Sequence, residues 1–113
     1  MSESFARVAS SIAIPASSTS YTQAVSMQSA NAVLCSFVIF SLGGSASLTP
    51  TLEGSNDMEN WSTIVAYDAI TTAGYAPASA TTGSIAWQYV RLKLVAGAGG
   101  TIITTADVST ASL

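Results

Sequence analysis

Histidine is absent from this chain of 113 residues, lysine and arginine together number three, and there is a single cysteine. Each shortage removes a class of function. Without histidine there is no Ser-His-Asp or Cys-His catalytic arrangement, and most zinc sites lose a ligand type. Arg7, Arg91 and Lys93 cannot form the basic stripe that neutralises nucleic-acid phosphates, and the same poverty disfavours an anionic membrane surface. Cys35 has no intrachain partner for a disulfide, and its place in the most apolar segment reads as a small buried hydrophobe. Long apolar runs are missing too. The greasiest stretch, Ala32 to Leu42, is about half of the roughly 20 residues a membrane helix needs, and Ser36 and Ser41 interrupt it. The N-terminus has neither a basic start nor an unbroken apolar run, so no signal peptide is expected and synthesis in a cytoplasm is.

The deepest shortage is of charge. Charged residues make up 8% of the chain, against about 25% in an average soluble domain. Hydrophobic residues make up 49%, and the formal net charge is −3. A monomer of this kind has little but Ser, Thr, Asn and Gln to hold it in water, which points to a surface covered by copies of itself or by a partner. The six carboxylates, Glu3, Glu53, Asp57, Glu59, Asp68 and Asp107, show no spacing that singles out an acid–base pair. Gly43-Gly44 and Gly97 to Gly100 precede strand-like segments and no Gly-Lys-Ser/Thr follows them, so they are no phosphate loop. The expectation is a protein that is not an enzyme, with no cofactor, no metal and no small-molecule substrate.

What is present is Val, Ile, Thr, Ser and Ala in short alternating runs, with helix-favouring Glu, Lys and Arg nearly missing. Arg7 to Ile14 alternates, with Val8, Ser10, Ile12 and Ile14 on one face. Ser20 to Met27 is a weaker strand, although Gln23 to Ala32 is the best helix candidate. Ala32 to Leu42 is apolar on both faces, Val33, Cys35, Phe37 and Ile39 on one and Leu34, Val38, Phe40 and Leu42 on the other. Such a strand is central or covered on both sides. Ser47 to Gly54 follows the Gly43-Gly44-Ser45 turn, with Pro50 arguing for an edge or a bulge. Trp61 to Tyr67, Ile85 to Val95 and Thr101 to Val108 complete the set, the last two joined by a Gly97-Ala98-Gly99-Gly100 hairpin turn. Tyr67 to Ser84, punctuated by Gly74, Pro77 and Gly83, reads as an exposed loop with room for a short strand.

This pattern predicts one all-β domain, a two-sheet antiparallel β-sandwich (jelly-roll or Ig-like) of about seven or eight strands. Residues 1–20 are expected as an N-terminal arm and first strand, 21–108 as the sandwich, and 109–113 as a C-terminal tail. The arm is expected to contact a neighbour.

Two local features stand out. In Leu52 to Trp61, Asn56, Asp57 and Asn60 can bond their own backbone and tolerate left-handed conformations, which makes a structural turn ahead of Trp61. A calcium site from Glu53, Asn56, Asp57 and Glu59 is the alternative, without EF-hand spacing. In Trp87 to Leu94, Val90, Leu92 and Leu94 face the core, while Trp87, Tyr89, Arg91 and Lys93 line the opposite face. That row serves as a stiff outer layer, a subunit contact or a platform for a ring-shaped ligand. Phe5, Arg7, Trp87, Tyr89, Arg91 and Lys93 are the candidate interface residues, and Trp61, Trp87, Tyr89 and Arg91 are expected as ordered sheet residues.

"LEGSNDMENWSTI" followed by "WQYVRLKL" resembles the Ser-Asn-Asp-Gly-x-x-Trp hairpin and aromatic-Val-Arg strand of discoidin-like sandwiches, a pairing that also recurs in small β-sandwich proteins of tailed bacteriophage particles. The resemblance covers residues 52–64 and 87–94. The chain departs from discoidin domains in being shorter, in lacking their cysteine pair and in placing Met58 where the turn glycine is usual, and that family's ligand loops lie outside the matched pieces. The phage-particle resemblance implies a structural virion subunit made in the host cytoplasm: a capsid decoration (cement) protein, or a tail or head-fibre component. Its implied partners are the phage capsid or another virion protein and its own copies, as a homo-oligomer. A carbohydrate-binding module using Trp87 and Tyr89 is the alternative from a different class.

Overall fold

The computed structural model describes residues 3–27, 30–44, 47–77 and 87–111. Among them are nine strands and no helix: β1 (Glu3–Ile14), β2 (Thr19–Tyr21), β3 (Val25–Ser26), β4 (Ala32–Ser41), β5 (Leu48–Ser55), β6 (Ser62–Ala66), β7 (Gly74–Pro77), β8 (Tyr89–Ala96) and β9 (Ile102–Ala111). They build two antiparallel sheets, one ordered β1-β9-β4-β7 and the other β2-β8-β5-β6, with β3 also on β8. The chain therefore changes sheet at nearly every connection. Setting the two-residue β3 aside, eight strands in two four-stranded sheets with this order make a jelly roll, which resolves the alternatives left open by the sequence.

The sandwich closes where the inner faces meet. From one sheet come Val33, Cys35, Phe37 and Ile39 of β4 and Ile102, Ala106 and Val108 of β9; from the other come Leu48 and Leu52 of β5 and Val90, Leu92 and Leu94 of β8. β4 is central, as its composition requires, between β9 and β7. Its second apolar face is another matter. Leu34 and Phe40 point outward and are exposed, so nothing in the described chain covers them.

Several strands differ from their sequence reading, each for a local reason. The simple alternation expected for Arg7 to Ile14 fails because β1 bulges twice against β9, between Arg7 and Ala9 and between Ala9 and Ile12. Val8 and Ala9 are both buried, Ser10 and Ser11 both exposed, and Ser11 takes a left-handed φ of 49° while its N–H donates to Thr105 Oγ1 at 2.9 Å. Residues 3–14 lie along β9 as a strand of the sheet, and Ser109–Ala111, expected in the tail, continue β9 between β1 and β4. The weak strand Ser20 to Met27 divides into β2 and β3. Thr22 separates them by placing its side chain in the ladder: its Oγ1 accepts from Leu92 N–H at 2.9 Å, while its own N–H donates to Leu92 O at 2.9 Å. The helix candidate Gln23 to Ala32 is not helical at any of its described residues, 23–27 and 30–32.

Pro50 lies neither on an edge strand nor at a bulge. β5 has neighbours on both sides, and Pro50 pairs with Leu94. Its missing donor is harmless because it faces the side where β6 has ended at Ala66. Leu48, two residues earlier, exchanges both backbone bonds on that side with Ile70, and Pro50 O still accepts from Tyr67 N–H at 3.1 Å. The short strand allowed for in the Tyr67 to Ser84 loop is β7, paired with β4. Ile85 and Ala86, Ser45, Gly83 and the rest of that loop beyond Pro77 lie outside the described residues.

The glycine-rich turn at 97–100 is not a hairpin. It carries the chain from β8 in one sheet to β9 in the other, as Gly43-Gly44 leads from β4 toward β5. The two crossovers nest against one another. A Cβ on Gly100 would run into the carbonyl of Gly43, and one on Gly43 into the carbonyl of Thr101. Backbone cannot yield as a flexible side chain can. Gly100→Ala should therefore cost about 2–3 kcal/mol in urea unfolding; a loss under about 0.5 kcal/mol would show that the crossovers can separate freely.

Candidate functional site

The sandwich has two outer faces, and the sequence-predicted interface residues are divided between them. On the β2-β8-β5-β6 sheet, Tyr89, Arg91 and Lys93 alternate outward from β8, as expected. Arg91 is the centre of that face. Its Nε donates to Glu53 Oε1 at 2.9 Å from the directly paired position on β5, and its Cζ lies 4.3 Å from the Tyr21 ring centroid and 4.1 Å from that of Trp61. The guanidinium stacks on two rings and pairs with a carboxylate at once, which uses its planar geometry fully. Tyr21 was not legible as a member of this cluster, because only the β2–β8 register, with Tyr21 opposite Lys93, brings it there.

Trp87 leaves the row. It lies just ahead of β8, and its ring packs where a Cβ on Gly54 would sit, beside Ile64 Cδ1. Gly54 is buried and shares a face with Leu52, so this is the inner side of the sheet end. The alternation through Tyr89 could not reveal that, since the strand begins only at Tyr89. A platform combining Trp87 with Tyr89 on one outer face does not form, and the ring surfaces of Trp61 and Tyr21 nearest Arg91 are already occupied.

The turn after β5 is built as its sequence suggests. Ser55 Oγ accepts from Met58 N–H at 2.9 Å and donates to Asp57 Oδ1 at 2.9 Å. Asp57 Oδ1 also accepts from the backbone N–H of Asn60 at 2.8 Å and of Glu59 at 2.9 Å, and Oδ2 accepts from Asn60 Nδ2 at 2.7 Å. Asn56 Oδ1 accepts from Gln88 N–H at 3.0 Å and ties the turn to the entry of β8. Met58 adopts a left-handed φ of 62°, a conformation that favours glycine. The donors converging on Asp57, Asn60 and Glu59 backbone first, hold its carboxyl well below the usual carboxylate range. Its oxygens face N–H groups rather than an open cation position. Among the described residues, no three His, Cys, Asp or Glu side chains are grouped to hold a metal ion.

The outer face of the β1-β9-β4-β7 sheet is where the sequence reading fell short. Phe5 of β1 and Leu34 of β4 both lie opposite Ser109, and Tyr75 of β7 lies opposite Val38. Together with Phe40 and Ile103 they form an apolar face. Phe5 is 62% exposed, Phe40 56%, Tyr75 68% and Leu34 42%. Five of the seven exposed large hydrophobics among the described residues are on this one face; the others are Tyr21 and Met58. Arg7 and Asp107 pair here at 2.9 Å across β1 and β9. The signal was the two-faced apolar alternation of Ala32 to Leu42. What the sequence lacked was the register that gathers Phe5, Tyr75 and Ile103 around it.

Cys35 is on the inner side of β4, fully buried, with Tyr67 Oη donating to its Sγ at 3.6 Å. Burial pushes its thiol up to about 11, a protonated, inert state at neutral pH.

Comparison with known proteins gives the fold a context. Similar architecture occurs in the PBSX exported protein XepA (13% identity, TM-score 0.75), covering 97% of this chain and 37% of that one. It occurs in a structure of infectious bursal disease virus, Gx strain (12%, TM-score 0.63), covering 96% of this chain and 31% of that one. It occurs also in the SPBc2 prophage-derived protein YomS (9%, TM-score 0.56), covering 96% of this chain and 93% of that one. The chain thus spans about a third of the first two and nearly all of the third. These are likenesses of fold, to a PBSX exported protein, to a virus and to a prophage-derived protein. No family model matches, so the discoidin-like resemblance gains no support from that side, and no curated protein matches either.

Asp57 is depressed in the folded state, so its contribution to stability stands in full above the unfolded carboxylate value of about 3.9 and is lost as pH falls below it. Urea midpoints of the wild type should fall between about pH 5 and pH 2, and the fall should be smaller in Asp57→Asn, which has no proton to gain; identical slopes would remove Asp57 from the linkage. Separately, Arg91→Ala should destabilise by about 2 kcal/mol, because it uncovers two rings and leaves the part-buried Glu53 unpaired. Arg91→Lys should recover less than half of that loss, since an ammonium cannot stack on the rings as the guanidinium does.

Proposed function

We propose that this chain is a structural subunit of a bacteriophage particle, whose work is binding rather than catalysis, and that it acts as a decoration (cement) protein on the phage shell. The observation that carries this reading is the uncovered apolar face of the β1-β9-β4-β7 sheet on a chain with almost no other charge-based means of staying apart from its neighbours. Monomeric proteins rarely expose contiguous apolar patches beyond a few hundred Å², and larger ones mark interaction sites.

The fold-level analogy points the same way. Jelly rolls recur in viral capsid domains, and the likeness to prophage-derived and viral proteins raises that prior without assigning a role. A cement protein stabilises a shell by binding the assembled state better than the dispersed one, which is mass-action linkage and needs no reactive group. The alternative of a carbohydrate module finds less support, since Trp87 turns away from the row of Tyr89 and Arg91.

The test is the composition of the particle. Mass spectrometry of virions purified from cells that make this chain should find it in many copies per particle, and particles lacking it should lose their genome at lower temperature. Its absence from purified particles would overturn the reading.

A further inference from the structure

We propose that the apolar outer face of the β1-β9-β4-β7 sheet seats a second copy of this chain, the two copies stacking sheet on sheet about a two-fold axis. The proposal deepens the structural-subunit reading and rests on it. Three observations select this occupant and this mode.

The first concerns the edges. Chains of this kind can associate by extending a sheet or by stacking faces. Extension is disfavoured at both described edges of this sheet. β1 carries two bulges and the left-handed Ser11 in its second half, which twist its free edge out of register. Among the described residues β7 offers four, the last of them Pro77, which has no backbone N–H to donate. Stacking through the flat outer face remains.

The second concerns area. Strands of twelve, ten, ten and four residues, about 4.8 Å apart and rising ~3.4 Å per residue, span a face of roughly 590 Å². Two such faces together remove on the order of 1,200 Å² from water, at the lower end of the roughly 1,200–2,000 Å² of a stable specific interface.

The third concerns charge. Both described ion pairs, Arg7–Asp107 and Arg91–Glu53, are internal. The net charge of −3 then comes from Glu3, Asp57, Glu59 and Asp68 against Lys93. Asp57, Glu59 and Asp68 lie in the connections flanking β6 of the opposite sheet. Two copies joined through the apolar face hold these three acids on their far sides, and of the charges outside the two ion pairs only Glu3, at the start of β1, stands on the joined sheet. A self-matching isologous patch also needs no complementary charge on its partner.

Sedimentation of the full chain from about 1 to about 100 µM tests this. The wild type should dimerise. Phe40→Lys and Tyr75→Lys, both exposed side chains on the face, should each weaken the dimer by at least about 30-fold, the scale of an interface hot spot. Thr63→Lys, exposed on β6 of the other sheet, should leave it unchanged. Circular dichroism confirms folding, and Tyr75→Lys decides if Phe40→Lys does not fold. A wild type that stays monomeric throughout overturns the proposal, as does a dimer indifferent to both face variants. A monomer that is nonetheless abundant in purified virions overturns the second copy alone and leaves the subunit reading standing.

Discussion

Face-to-face burial of β4 and β9 against β5 and β8 is the contact on which the rest of this molecule depends. The fully buried side chains of these four strands, Phe37, Ile39, Leu52, Leu92 and Leu94 among them, are supplied about equally by the two sheets. Neither sheet can hide its inner face alone. Because the chain changes sheet at almost every connection, the sandwich also forms almost entirely from non-local pairings. β1 finds its partner β9 at the opposite end of the chain. Such topology places folding speed and stability in the hands of long-range register rather than local propensity, and it explains why two glycine-bearing crossovers must fit closely at one end of the sandwich.

The rarity of charge makes each ion pair count for position. Arg7–Asp107 joins β1 to β9, and Arg91–Glu53 joins β8 to β5. One directly paired bridge therefore stands on the outer face of each sheet. Their settings differ. Arg91 and Glu53 are largely covered, with side-chain exposures of 21% and 12%, and two rings lie against the guanidinium. Arg7 is 54% exposed, so its pair is more strongly screened and worth less. An arginine and a carboxylate thus make a covered cluster on one face and a more exposed clasp on the other.

Alternation carried most of what could be read from the sequence. In β4, β5 and β8 the inward set was legible residue by residue, because a period of two on a half-buried strand leaves little choice of face. Asp57 and its turn were legible for a different reason: the bonds that define them span only a few residues. Reading failed wherever the answer depended on a distant partner. The bulges of β1 are set by β9, the split between β2 and β3 by Thr22 meeting Leu92, and the tolerance of Pro50 by the end of β6. A glycine cluster between two strands gives the same signal whether it turns a hairpin or crosses to the other sheet. Trp87 shows the limit most clearly, since one irregular residue pair ahead of β8 moved it to the inner side.

The two outer faces end in different states, and that asymmetry is the strongest link from physics to role. On the β2-β8-β5-β6 sheet the outward rings of Tyr21 and Trp61 meet Arg91 of the same chain, so one side of each is covered internally, although Tyr21 stays 51% exposed. On the β1-β9-β4-β7 sheet the only described cation is Arg7, and it is turned to Asp107, leaving Phe5, Leu34, Phe40 and Tyr75 in water. Exposed apolar surface forgoes roughly 25 cal/mol for every Å² that could be buried. No segment of the described chain is placed to recover that energy. Another molecule can, and the surface that local chemistry left unfinished is therefore where association gains most.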